Sequence, residues 1–486
     1  MRRRRLALEA GGAALLAGTL LPAPAAAHGL VGRADLPIPV ELFSLGAVVV
    51  LIVTAAALFV LWRSPQLEPE RWRPLPSWVG RVVTSPVVDV AAGLVGAALL
   101  AVVVWSGFVG VQVPIANFAP TFVYVTFWLG FVSISVLFGD VFRAFNPWRA
   151  IGRAFGGLFG LIAGRSAPAP LAYPDKLGRW PAVVGLAAFL WFELAFAVPF
   201  EPVVIIKPAD VATAALIYTS ITFVGMALFG VEKWCERGET FGVLFNMFSR
   251  IAPLEVRDGV LGRRPWLSGA VGWGLMPGSV ALVLLLIAGT TFDGAAEGVL
   301  AEPIKWLYEL INGGGGAEGD VFARRLTATV FMLLSFGVVS GIYWGGIKGM
   351  GTEGSGMTTR ELGRTFAFCF IPIAFAYTFA HYFSLAVFQE QAQFTYLLSD
   401  PLGQGSDYLG TAGGTIDFKV ISSEFVWYVQ VGSLIAGHVA ALAMGHDKAL
   451  AVYQNLRRAT QSQYWMLALM VSFTVLGLAL LSAANQ

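Results

Sequence analysis

The chain has 486 residues, of which 57% are hydrophobic and only 13% charged, and its mean hydropathy is +0.71. Soluble domains carry roughly a quarter of their residues as charges, so this composition excludes an ordinary water-soluble protein. A net charge of +2 with no basic face excludes nucleic acid as a partner. Two cysteines exclude a disulfide-built domain.

The N-terminus opens with Arg2 to Arg5, continues apolar to Leu21 and leaves through Pro22 to Ala27. A basic start, an apolar centre and a small-residue exit predict a secretory signal peptide over residues 1–27. Glu9 interrupts the apolar centre, and an uncleaved anchor is the alternative. Cleavage after Ala27 would give His28 a free α-amine beside its imidazole.

Beyond residue 28 a single integral membrane domain is expected, all-α and polytopic, with the lipid bilayer as its partner. Ten apolar runs lie near 41–62, 87–111, 119–142, 181–200, 211–232, 267–288, 326–345, 366–388, 424–446 and 464–484. Each is about 20 residues, the length that crosses a hydrocarbon core ~30 Å thick. The short alternating segments of a transmembrane β-barrel are absent. With residue 28 outside, the loops on the inner side collect 22 Lys and Arg and those on the outer side 6. Cytoplasmic loops are the basic ones, so both ends of the mature chain are expected outside.

Two inner loops carry aromatics at helical spacing beside basic residues, near 143–165 and 237–254. They predict helices lying in the membrane interface. The outer loop 289–323 holds Asp293, Glu297, Glu302, Glu309, Glu318 and Asp320 with a glycine hinge at Gly313 to Gly316. Gly337, Gly341 and Gly345 form a stripe on one face of span seven, as in close helix packing. Cys235 and Cys369 are expected as unpaired structural thiols.

Ionisable side chains within the bilayer are costly, so they are the first candidates for chemistry. Asp89 and Asp140 lie near inner membrane ends and can reach the interface. Glu193 is closer to mid-membrane, either as a proton carrier or general acid or as the partner of a neighbouring helix. Of the four histidines, His381 lies on span eight, and His438 and His446 on span nine. His438 and His446 are eight residues apart, about 12 Å along a helix, too far to share one ion. His381 and His438 are the better pair to meet across two helices, as a relay, a metal pair, haem ligands or a packing contact.

Five stretches carry a resemblance. These are His28-Gly29-Leu30 to Pro39, Asn146-Pro147-Trp148-Arg149, Arg237-Gly238-Glu239 to Pro253, Ala380-His381-Tyr382-Phe383-Ser384, and Gly437-His438. Over nearly its full length the chain resembles a bacterial multi-span membrane family described as similar to fenitrothion hydrolase, a membrane-bound organophosphate hydrolase. The resemblance implies residence in the bacterial cytoplasmic membrane and hydrolysis of neutral, lipid-soluble phosphate triesters. Such a reaction needs an activated water and a Lewis acid at the phosphoryl group. From residue type and predicted side, His28 and His381 are then the candidate metal ligands, for a divalent transition metal such as Zn or Cu. Asp293 is a candidate base or ligand, and Glu193 and His438 are candidate catalytic groups. Two other classes remain open: a small-solute transporter or channel using Glu193 and His438, and a copper- or haem-handling protein built around His28.

Overall fold

The computed structural model describes residues 40–67, 71–163, 171–197, 206–296, 298–313, 317–351, 354–453 and 455–483. Helices dominate. In chain order they are α1 (Val40–Leu61), α2 (Ser77–Val83), α3 (Pro86–Val109), α4 (Phe118–Phe138), α5 (Pro147–Ala163), α6 (Trp180–Phe196), α7 (Pro208–Phe229) and α8 (Val231–Arg237). There follow α9 (Thr240–Ser249), α10 (Ser279–Ala296), α11 (Ala301–Asn312), α12 (Ala317–Gly351), α13 (Thr359–Leu397), α14 (Ser423–Val452) and α15 (Leu456–Ala483). Among the described residues, seven helices, α4, α7, α10, α13 and α14 among them, are long and apolar enough to cross a membrane; α6 and α9 are shorter apolar helices.

Local chemistry sets the helix ends. Ser85 accepts from the Val88 N–H ahead of Pro86, the first residue of α3, a polar cap with proline at the first helical position. Thr358 and Glu361 close a reciprocal capping box on α13, so both orphan amides there are satisfied.

Three features depart from the sequence expectation. The sixth span starts at Ser279 rather than near 267. Residues 268–275 form two short 3₁₀ turns, and Pro277 followed by Gly278 at φ +89° breaks the apolar run before the helix begins. Asp293 consequently lies inside α10 and not in an outer loop. The 237–254 segment yields α9, but not on a membrane surface. Phe241, Leu244, Phe245, Met247 and Phe248 are all buried, while Gly242 and Asn246 are half-buried. The end of that segment turns into strand. Arg73–Pro74 (β1), Leu254–Arg257 (β2) and Val260–Arg263 (β3) form a small antiparallel sheet in the order β1-β3-β2. The 143–165 stretch contains the helix α5, with Phe155, Leu158, Leu161 and Ile162 exposed.

The glycine stripe on α12 is not a packing seam. A Cβ placed at Gly337, Gly341 or Gly345 would meet nothing within 4 Å, whereas one at Gly346 would lie 2.3 Å from Leu469. Close approach therefore occurs on the neighbouring face, against α15. Cys235 and Cys369 are unpaired thiols.

Candidate functional site

The site is built where α6, α10 and α13 meet. The Arg179 N–H donates to the Pro277 carbonyl at 2.7 Å, just before α6 and α10 begin. Eleven residues further along α6, Leu190 lies against Gly289, whose Cβ would come within 3.0 Å of Leu190 Cδ1. The two helices therefore run parallel, offset by 98 residues at the first contact and 99 at the second. Carried forward, that offset sets Glu193 level with Thr291 and Phe292, next to Asp293 in the chain. α13 completes the group: His381 Nε2 is 2.8 Å from Asp293 Oδ2, and the Tyr382 hydroxyl donates to the same oxygen at 2.7 Å. Asp293, His381 and Tyr382 are all buried.

Glu193 lies within the electrostatic reach of Asp293. Its Oε2 is buried and has no hydrogen-bond partner among the described residues, and the Thr291 and Ser384 hydroxyls are in the same condition. Buried polar atoms left without a protein partner are exceptional and call for an explanation. The backbone is unusual here too. Glu193 belongs to a π-helical turn, Phe192–Phe196, and a longer π segment runs over Phe122–Gly130 in α4. A third, Gln393–Leu397, ends α13. Such turns recur at functional sites because the extra residue per turn re-aims side chains.

The two π segments of α4 and α6 also wall a cavity of about 700 Å³. Its lining includes Tyr124, Phe127, Trp148, Phe189, Phe192 and Phe241, and no charged residue among the described ones. Near its other end a second polar cluster gathers two of the motifs noted in the sequence. Glu239 Oε1 accepts from the Tyr218 hydroxyl at 2.5 Å and the Phe241 N–H at 2.9 Å. Its Oε2 accepts from Asn146 Nδ2 and the Gly242 N–H, both at 2.7 Å. Burial raises the Glu239 pKa above the ordinary carboxylate value in spite of these four donors. With both oxygens doubly engaged, Glu239 is a structural pin at the start of α9. Arg149, of the same Asn146 to Arg149 motif, bridges Asp89 at 2.9 Å and Glu232 at 3.1 Å.

The sequence-derived candidates divide clearly. His381 and Asp293 are brought into contact, with Glu193 beside them. His438 is engaged elsewhere: its Nδ1 donates to the Leu434 carbonyl at 2.7 Å, and its ring packs near Tyr377. The expected meeting of His381 with His438 is replaced by the His381–Asp293 contact, because Asp293 lies within a helix and faces α13. His446 Nε2 donates to the Trp62 carbonyl at 2.9 Å, which ties α14 to the end of α1. Asp140 accepts from Asn246 and Asp89 is paired with Arg149 and Arg153. His28 lies outside the described residues. Among the described residues no three His, Cys, Asp or Glu side chains group as a metal site. Tyr382 and Tyr124 escaped the sequence reading, since a tyrosine among apolar residues looks like packing; adjacency to His381 was the available signal for Tyr382. No family model matches the chain, and no curated protein or solved structure is found to be similar to it.

Proposed function

We propose that this protein is a membrane-bound hydrolase of apolar small molecules, with Asp293, His381 and Tyr382 as its reacting centre. Phosphate triesters are the substrate class that the family resemblance implies. The buried His381–Asp293 hydrogen bond carries the proposal. A carboxylate accepting the Nε2–H holds the imidazole in the tautomer whose Nδ1 bears the lone pair. That nitrogen can take a proton from water as the water oxygen bonds to phosphorus. The aryloxide then departs with the electrons of the broken P–O bond. Tyr382, donating to the same carboxylate oxygen, fixes the orientation of Asp293.

A divalent transition metal such as Zn or Cu fits this donor set in kind, because metal-bound histidines commonly give their second N–H to a carboxylate. It would act as a Lewis acid on the phosphoryl oxygen. With Asp293 holding the Nε2–H, only His381 Nδ1 is left to bind such an ion, fewer than the three or more protein ligands these ions take, and an ion there would displace Nδ1 from the role of base. The further ligands would come from outside the described residues, where the sequence offers His28. The membrane arrangement that accompanies this proposal is ten spans with both mature ends outside.

The test is turnover of an aryl phosphotriester by the full chain in nanodiscs. His381→Ala and Asp293→Asn should each lower kcat/KM by about 10²-fold or more, while both variants keep the wild-type melting profile. Metal content measured alongside, with His28→Ala included, decides whether an ion takes part. Undiminished turnover in His381→Ala would overturn the proposal. A second reading, a proton-coupled transporter, rests on Glu193, whose buried Oε2 has no partner among the described residues and which feels the charge of Asp293. Proton flux in liposomes that Glu193→Gln abolishes, without turnover by the wild type, would establish that reading instead.

A further inference from the structure

The aromatic cavity is separate from the Asp293 centre and has its own ligand logic. Its volume of about 700 Å³ falls in the range of small-molecule sites, ~300–1,000 Å³. Val184, Ile217 and Ile221 line it and are exposed on the outer surface of the helices, so it opens sideways, toward lipid, and an occupant can enter from the bilayer. Among the described residues no charged one lines it, and an ion entering would lose its hydration without compensation from them. The occupant is therefore neutral.

The wall chemistry narrows the class further. Trp148 and Phe241 stack with ring planes 15° apart, and Phe127 meets Phe241 edge-on. Ring faces and edges of this kind favour another flat ring over an aliphatic chain. Two lining residues keep unspent donors. The Tyr124 hydroxyl and Trp234 Nε1 are buried with no hydrogen-bond partner among the described residues. The other lining tyrosine, Tyr218, has spent its hydroxyl on Glu239. A buried donor left alone is costly, and a ligand oxygen would satisfy it.

We propose that this cavity binds a neutral, lipid-soluble, flat-ring molecule bearing a carbonyl-type oxygen, which accepts from Tyr124, while an apolar tail leaves through the mouth between Val184, Ile217 and Ile221. A quinone with a short isoprenoid tail is the simplest member of this class. The inference does not depend on the hydrolytic reading, because binding is measured without turnover.

The experiment uses the full chain in nanodiscs and a naphthoquinone with a short isoprenyl tail. Contact quenching of tryptophan fluorescence reports occupancy, since Trp148 and Trp191 line the cavity. Saturable quenching is expected in the wild type. Tyr124→Phe, which removes one oxygen, should weaken binding by about fivefold, the worth of one neutral hydrogen bond. Ala188→Phe with Ala215→Phe, which fills the cavity from its lining, should weaken it by about tenfold or more. An alkane of the tail's length should not compete. Non-saturable quenching, equal binding by the filled variant, or equal competition by the alkane would each overturn the proposal, the last by making this an acyl-chain groove.

Discussion

Arg149 is a cation whose side chain is only 7% exposed, and it persists because two carboxylates face it. Burial alone would lower its pKa; Glu232 and Asp89 together leave it above the ordinary value. Glu232 is the accessible half of this arrangement. Burial raises its pKa, but the charge and hydrogen bond of Arg149 prevail and hold it below the ordinary value of 4.5. A depressed acid contributes its full stability above the unfolded-state value and loses it as the pH falls through the folded-state value. The melting temperature in nanodiscs should therefore drop between about pH 5 and 3. In Glu232→Gln it should start lower and fall less steeply, and parallel curves would remove Glu232 from this role. Single residues were only partly legible in the sequence. An isolated carboxylate or histidine in an apolar run announces itself by its cost, which is why Glu193, Asp293 and His381 could be named. Their partners could not, because contact between residues 293 and 381 depends on which faces of two helices meet.

Helix boundaries were legible where polar caps and breakers agree with the apolar pattern, and misplaced where they conflict. The run from 267 onward is apolar enough to suggest a span, yet Gly272, Pro277 and Gly278 postpone the helix, and that delay carries Asp293 into α10. Gly278 is therefore a control point for the site. Its φ of +89° is one that L side chains rarely adopt, and a Cβ there would sit 2.9 Å from the Arg179 carbonyl carbon and the Trp180 nitrogen. Gly259 has a similar φ of +78° but open space around it, so the two positions separate strain from crowding. Gly259→Ala should cost about 1–2 kcal/mol from backbone strain alone. Gly278→Ala should cost measurably more in the same thermal unfolding assay, because α6 and α10 must also move apart. Equal losses would mean that the close approach is soft.

At the scale of the whole molecule, hydropathy made the all-helical, membrane-crossing character legible, and the loop charges imply an orientation. A phosphatase reporter fused after Gln486 should be active, as that enzyme is only outside the cytoplasm; activity solely of a cytoplasmic reporter would reverse the assignment of 22 basic residues to the inner side. What hydropathy could not separate is burial in lipid from burial in protein. α9 reads as an apolar, amphipathic stretch, and its neighbours decide where it goes. Ten residues make a helix of about 15 Å, half of what a membrane crossing needs. The cover for α9 arrives from both directions along the chain: Phe142 lies 4.8 Å from Phe245, whereas Phe248 packs against Phe375. During synthesis the second partner leaves the ribosome on the order of ten seconds after the first contacts can form. For that interval the face of α9 that carries Phe248 lacks its later partner Phe375, while Phe241 and Phe245 already have theirs.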